Sequence, residues 1–165
     1  MKALPVRKHP RRKGFDYNQN GMYFVTLCVK GKHEMLGEVV GRDDPGAPFV
    51  ELSEYGVVLN KYINMIEAHY DNVKLVKYTI MPNHVHMILV AGNKEHGAPR
   101  SSRPTTSLIP RIIAALKKMT NKENEFDMWQ TSYHDHIIRD EDEYQRIWKY
   151  IDENPEKWQE DCYFT

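Results

Sequence analysis

The sequence predicts an α+β fold: a four- to five-stranded, mainly antiparallel sheet with helices packed on one face. Three observations lead there. Runs rich in β-branched and aromatic residues alternate with stretches of helical periodicity. Two strand-type runs, 73–81 and 84–90, are separated only by Pro82-Asn83, a tight corner. No internal repeat interrupts the series. Together these specify the ferredoxin-like α/β sandwich.

The elements follow in order. Tyr17-Asn18-Gln19-Asn20-Gly21 is a turn, and Met22–Val29 a strand. Gly31–Val40 reads as a second short strand and Gly41–Pro48 as a loop. Phe49–Leu52 is a short extended segment. Ser53 is placed to cap a helix whose apolar face carries Val58, Leu59, Tyr62, Ile63, Ile66 and Tyr70. After the 73–81 and 84–90 strands, 93–106 is a Gly, Pro, Ser and Arg-rich loop. Ser107–Met119 is a helix with Pro110 in its first turn, where a missing N–H costs little. Ser132–Ile138 is a strand. The last helix, Asp140–Asn154, opens on acidic residues that suit its dipole. It stops before Pro155, because a residue preceding proline avoids the α region.

At 165 residues the chain suits one domain spanning 1–165, with 1–15 a basic arm and 93–106 a flexible basic loop. Apolar and charged contents of 41% and 28% are those of a globular protein and exclude a disordered one. No apolar run reaches 18 residues, which excludes a membrane-spanning helix. The N-terminus is basic but lacks the apolar stretch of a secretory signal. Cys28 and Cys162 have no Cys-x-x-Cys partners and read as reduced thiols, so the expected location is the cytoplasm.

The formal net charge is zero, yet the charge is polarised. Residues 1–15 hold Lys2, Arg7, Lys8, Arg11, Arg12 and Lys13 with no acid. Residues 94–122 hold Lys94, Arg100, Arg103, Arg111, Lys117, Lys118 and Lys122 against Glu95 alone. Acidic residues gather after Arg139. A neutral chain so divided can present a phosphate-binding face; the alternative is a basic tail and a solvated helix face. Tyr17, Tyr23 and Trp129 are open to two readings, base stacking or packing.

The densest chemistry lies at His84-Val85-His86. In a strand both imidazoles project from one face, their Cα atoms about 7 Å apart, and converge where a divalent cation could sit. A purely structural pair is the competing reading. On the last helix, Tyr144, Ile147, Trp148 and Ile151 form the core-facing stripe. Tyr150 lies on its flank, with Asn154 one turn beyond on the same side. His134 and His136 form a second His-x-His pair, read as lining a site or as half of a four-histidine one.

Three ordered segments carry a family resemblance: Ile80-Met81-Pro82-Asn83-His84-Val85-His86; Trp129-Gln130 with Tyr133-His134-Asp135-His136-Ile137-Ile138-Arg139; and Tyr150-Ile151-Asp152-Glu153-Asn154-Pro155. With Phe15-Asp16-Tyr17 and Gly21-Met22-Tyr23-Phe24-Val25-Thr26, they resemble the REP-associated tyrosine transposases of the single-tyrosine HUH class, over about residues 11 to 155. The resemblance implies that His84 and His86 are metal ligands, Asn154 a third ligand and Tyr150 the nucleophile. It implies a bacterial, cytoplasmic enzyme using Mg²⁺ or Mn²⁺. The partner would be single-stranded or hairpin DNA, REP-like or transposon ends, met by a monomer or homodimer. Arg7, Arg11, Arg12, Lys13, Arg100, Arg103 and Arg111 are the candidate phosphate contacts. Glu156-Lys157-Trp158 departs from the Val-Arg/Lys-Ala-Gly-Leu typical of the group after Asn-Pro.

The chemistry explains the residue types. A tyrosine hydroxyl, ordinarily titrating near 10, needs help to lose its proton, but a phosphotyrosine conserves the energy of the broken bond for rejoining. A divalent cation polarises the scissile phosphate. Two imidazoles and an amide leave positions open for phosphate oxygens; Ni²⁺, Cu²⁺ or Zn²⁺ would bind more tightly than Mg²⁺ or Mn²⁺. Two alternatives stand beside a nicking and strand-transfer enzyme: a catalytically silent nucleic-acid-binding module on the same fold, and a metal-dependent hydrolase using both His-x-His pairs.

Overall fold

The computed structural model describes residues 21–41, 46–92 and 108–164. The arm 1–15, with Arg7, Arg11, Arg12 and Lys13, and the loop carrying Arg100 and Arg103 lie outside the described residues, as does Tyr17. The architecture is α+β. A four-stranded antiparallel sheet has the order β4-β5-β1-β6, with β1 at Gly21–Cys28, β4 at Val73–Met81, β5 at His84–Ala91 and β6 at His134–Ile138. A separate hairpin pairs β2, Gly37–Val40, with β3, Phe49–Leu52. The helices are α1, Glu54–Asn64; α2, Ile66–His69; α3, Leu108–Asn124; and α4, Glu141–Glu153. Among the described residues, no helix is long and apolar enough to cross a membrane.

The expectation of helices on one face is corrected. Strand β5 is buried on both sides. Val85, Met87, Leu89 and Ala91 join Leu59, Ile63, Ile109, Ile112 and Leu116 in the larger core, so α1 and α3 cover that face. Ile88 points the other way and, with Ile138 and Ile151, forms a second cluster packed by Met22, Phe24, Tyr144, Ile147 and Trp148. Among the described residues, α4 is therefore the helix that covers the opposite face. Both faces of the sheet are covered because both carry apolar side chains that must leave water.

Three element boundaries also differ. Only the end of the Gly31–Val40 segment is a strand. Gly31 and Lys32 take positive φ values of 63° and 56°, which no strand tolerates, and Lys30–Lys32 forms a 3₁₀ turn. The first helical pattern breaks at Met65 into α1 and α2. Helix α3 runs on through Thr120–Asn124, where the Thr120 hydroxyl accepts the buried Trp129 Nε1–H at 2.8 Å. Trp129 and Tyr23 are fully buried, which settles them as packing residues rather than stacking platforms.

The placement of α4 decides the site. Asp140 caps it by accepting Glu143 N–H at 2.8 Å. Glu143 in turn accepts from Arg139 N–H at 2.8 Å and contacts His136 Nε2 at 2.6 Å, pinning the first turn to β6. On the other side, Lys77 of β4 lies 4.0 Å above the Trp148 ring and 2.5 Å from Asp152. Ile151→Ala should cost about 2 to 5 kcal/mol, the range for truncating a buried isoleucine. Urea unfolding measures it; a cost below about 0.5 kcal/mol would mean that α4 is not docked by its apolar stripe.

Candidate functional site

Antiparallel register builds the floor of the site. Cys28 lies opposite His84 and Thr26 opposite His86 on β1, while Met81 and Thr79 flank them on β4. Both imidazoles are buried, at 0% and 1% exposure. Their Nε2 atoms face each other at 2.9 Å. Each Nδ1 has its own partner: Asn83 Oδ1 at 2.8 Å for His84 and Thr26 Oγ1 at 2.8 Å for His86.

Asn83 fixes the tautomer of His84. Its Nδ2 donates to the carbonyls of Lys32 and Tyr163, at 3.1 and 2.8 Å, which leaves Oδ1 turned toward the ring. An amide oxygen only accepts, so His84 Nδ1 carries the hydrogen and Nε2 keeps its lone pair. Thr26 can donate or accept, so His86 is free to hold its hydrogen at either nitrogen. Burial holds His84 down to about 4, with Asp161 and Asn154 pulling upward and Lys32 downward. Burial, then the neighbouring His84, pushes His86 well below its ordinary range. Both rings are neutral at pH 7, the form that binds metals.

Helix α4 supplies the wall. The Tyr150 hydroxyl sits 3.3 Å from His86 Nε2 and donates to Asp161 Oδ2 at 3.0 Å. Its ring meets those of His86 and Phe24 edge-on, at 5.2 and 6.2 Å between centroids. The side chain remains 38% exposed and borders a cleft of about 150 Å³ lined by Glu153, Asn154, Lys157, Glu160 and Asp161. Burial, then the Asp161 charge and hydrogen bond, push the phenol well above its ordinary range. Asn154 is buried; its Nδ2 donates to Asp161 Oδ2 at 2.5 Å. Its Oδ1, on the His84 side, makes no hydrogen bond of good geometry.

The segment after α4 forms the roof. Tyr163 lies 4.5 Å and Trp158 5.8 Å from the His84 ring, and Lys32 Nζ donates to the Cys162 carbonyl at 3.2 Å. The ligand atoms of His84, His86 and Asp161 all fall within 4.8 Å of one another. Sequence reasoning missed Asp161, Asn83, Thr26 and Tyr163. Asn83 was available beside the pair; Asp161 and Tyr163 depend on the chain folding back, for which no periodic signal exists.

The donor set fits a divalent cation. Two adjacent ligands bound at 2.1 Å in an octahedron lie about 3.0 Å apart, close to the 2.9 Å between the imidazole nitrogens. The buried, unbonded Asn154 oxygen adds a hard donor. The four-histidine arrangement is not assembled. His134 and His136 share this face through their register with Thr26 and Phe24, but both are exposed and His136 is committed to Glu143. Arg111 is exposed on α3, behind the opposite face of the sheet. Cys28 is buried and its thiol is pushed up to about 11, mainly by that burial, so it stays protonated.

No family model matches the chain. It is 30% identical over 170 residues to an uncharacterized protein of Haemophilus influenzae, covering 94% of this chain and 91% of that protein. A second Haemophilus influenzae protein, named for the REP-associated tyrosine transposases, is 22% identical over 152 residues, or 86% of this chain and 74% of that one. Among solved structures, a REP-associated tyrosine transposase bound to a REP hairpin has the same fold, with a TM-score of 0.65 at 17% identity, covering 93% of this chain and 74% of that one.

The neutral imidazoles make a pH prediction. Unfolded histidines take up protons near pH 6.5, while in the fold His84 resists down to about 4 and burial holds His86 well below its ordinary range. The unfolded state then binds more protons, so stability of the metal-free protein is full above pH 6.5 and falls as the pH drops. The slope should reach about 1.4 kcal/mol per pH unit for each histidine. Urea melts between pH 7.5 and 4.5 measure it, and His84→Gln with His86→Gln should flatten it.

Proposed function

We propose that this chain is a REP-associated tyrosine transposase and that it nicks and rejoins DNA through a covalent 5′-phosphotyrosine on Tyr150. The substrate class is single-stranded or hairpin DNA, the REP hairpin of the structural relative being the nearest guide. The observation that carries this reading is the 3.3 Å between the Tyr150 hydroxyl and His86 Nε2. A half-exposed phenol at the rim of two buried imidazoles is placed for a phosphate arriving from solvent.

His84 Nε2, His86 Nε2 and Asn154 Oδ1 are the atoms assigned to hold Mg²⁺ or Mn²⁺. When bound, the cation would polarise the scissile phosphate and offset the charge that develops on it. The protein's own groups do the rest. Asn83 orients His84, and Thr26 orients His86. Packing of the phenol ring against Phe24 and His86 restricts its approach. Attack by the Tyr150 oxygen forms the bond to phosphorus, the strand's 3′ oxygen departs, and the phenolic proton leaves to solvent at the exposed rim of the site. The departing 3′ oxygen takes a proton from solvent. Religation reverses these steps without an external energy source.

One observation favours a second reading, a silent nucleic-acid-binding module: Tyr163 closes over both imidazoles and Trp158 over that of His84, and both rings are sealed from solvent. A single assay separates the two. Incubation with hairpin oligonucleotides and Mn²⁺ should give an SDS-resistant adduct, absent in Tyr150→Phe, whose DNA affinity should stay within about twofold because only a hydroxyl is removed. An adduct that persists in Tyr150→Phe sinks the nucleophile assignment, and binding with no adduct in the parent protein favours the silent module. His86→Ala should lower the rate of adduct formation about 100-fold or more, the scale of several kcal/mol of charge stabilisation.

A further inference from the structure

We infer that Asp161, carried on the segment beyond α4, is a ligand of the divalent cation and completes a His-His-carboxylate set with His84 and His86. The inference rests on the reading of the two histidines as metal ligands and extends it to a residue outside the sheet and α4.

Distance comes first. Two ligands on one cation at about 2.1 Å can be no more than about 4.2 Å apart, when they lie opposite. The three ligand atoms lie within 4.8 Å of one another, so a small side-chain rotation brings them into range. Charge comes second. His84, His86 and Asn154 are all neutral donors, a weak set for a hard divalent cation, which takes oxygen ligands and above all carboxylates. Asp161 is the one acid of the cluster.

Support of the carboxylate comes third. Oδ2 accepts from the Tyr150 hydroxyl at 3.0 Å and Asn154 Nδ2 at 2.5 Å, and Oδ1 accepts from Tyr163 N–H at 2.7 Å. Ligating carboxylates are held by such outer hydrogen bonds. The Asn83 amide that sets the His84 tautomer also grips the Tyr163 carbonyl, two residues past Asp161. One side chain therefore fixes a histidine donor and the segment that carries the acid. Asn154 acquires a second role as the donor that aims Asp161.

Titrating the full chain with Mn²⁺ and Co²⁺ tests this without any DNA. Failure of the parent protein to bind either ion would remove the histidine reading itself. If the parent binds, Asp161→Asn should weaken binding by about tenfold or more; unchanged affinity overturns the assignment of Asp161 alone. A direct reporter separates ligation from mere docking of the roof. In a Cys162→Ser background, Asp161→Cys at saturating Co²⁺ should show a thiolate-to-cobalt charge-transfer band that the background protein lacks. A folded Asp161→Cys protein with bound Co²⁺ and no such band overturns the inference.

Discussion

Two imidazole nitrogens facing each other across 2.9 Å impose the constraint on which the site depends. A neutral histidine has one N–H and one lone pair, and two lone pairs pointed at each other repel. Either a hydrogen or a cation must lie between them. His84 cannot supply the hydrogen, because Asn83 draws it to Nδ1. In the metal-free protein His86 Nε2–H therefore donates to His84, and Thr26 donates to His86 Nδ1. Burial forbids the charged form that would relieve the contact with an extra proton. The fold thus holds two neutral nitrogens at a spacing that a divalent cation satisfies by a turn of the Thr26 hydroxyl.

That constraint is available because β5 has a period of two. Val85, Met87 and Leu89 anchor the strand in the larger core, and the same alternation delivers His84 and His86 to the other face. The anchoring is fully apolar and the polar pair adds little to it. Helix α4 repeats the division of labour at a period of 3.6: Ile147, Trp148 and Ile151 bind the helix to the sheet, and the flank presents Tyr150 and Asn154. Precise placement of the phenol comes from residues that take no part in its chemistry.

The separation of these roles explains what was legible in the sequence. Both periodicities were written in apolar residues, so the strands and the helices could be anticipated; periodicity left Tyr150 on the flank of its stripe, and only the family resemblance implied that it would meet His84 and His86. The side of the sheet taken by α4 could not be anticipated, because a stripe says that a helix packs without saying against which face. The break at Gly31 was hidden because a glycine and a lysine at positive φ leave no hydrophobic trace. Asp161 was invisible for a different reason. It stood as one acid among many near the C-terminus, and its meaning arises only when a segment with no periodic pattern turns back over the histidines. The second histidine pair carried the same spacing as the first, yet β6 is an edge strand, and there Glu143 rather than a buried neighbour claims His136.

Charge at the rim bears on the proposed DNA substrate. Glu153 pairs with both Lys149 and Lys157, and Asp152 pairs with Lys77, so these three lysines are already matched by acids. Exposed pairs of this kind contribute little to folding because water and salt screen them. A phosphate that takes the place of Glu153 or Asp152 therefore gives up little stability while gaining the same cations. Net neutrality is then compatible with a nucleic-acid partner: the positive charge is present but held by weak internal partners, and exchange of those partners makes binding depend on salt and on strand geometry rather than on bulk attraction. Of these cations only Lys149 shares α4 with Tyr150; Lys77 reaches the helix from β4 and Lys157 from the segment beyond it, so the groups that would hold the strand converge on the cutting group from three elements.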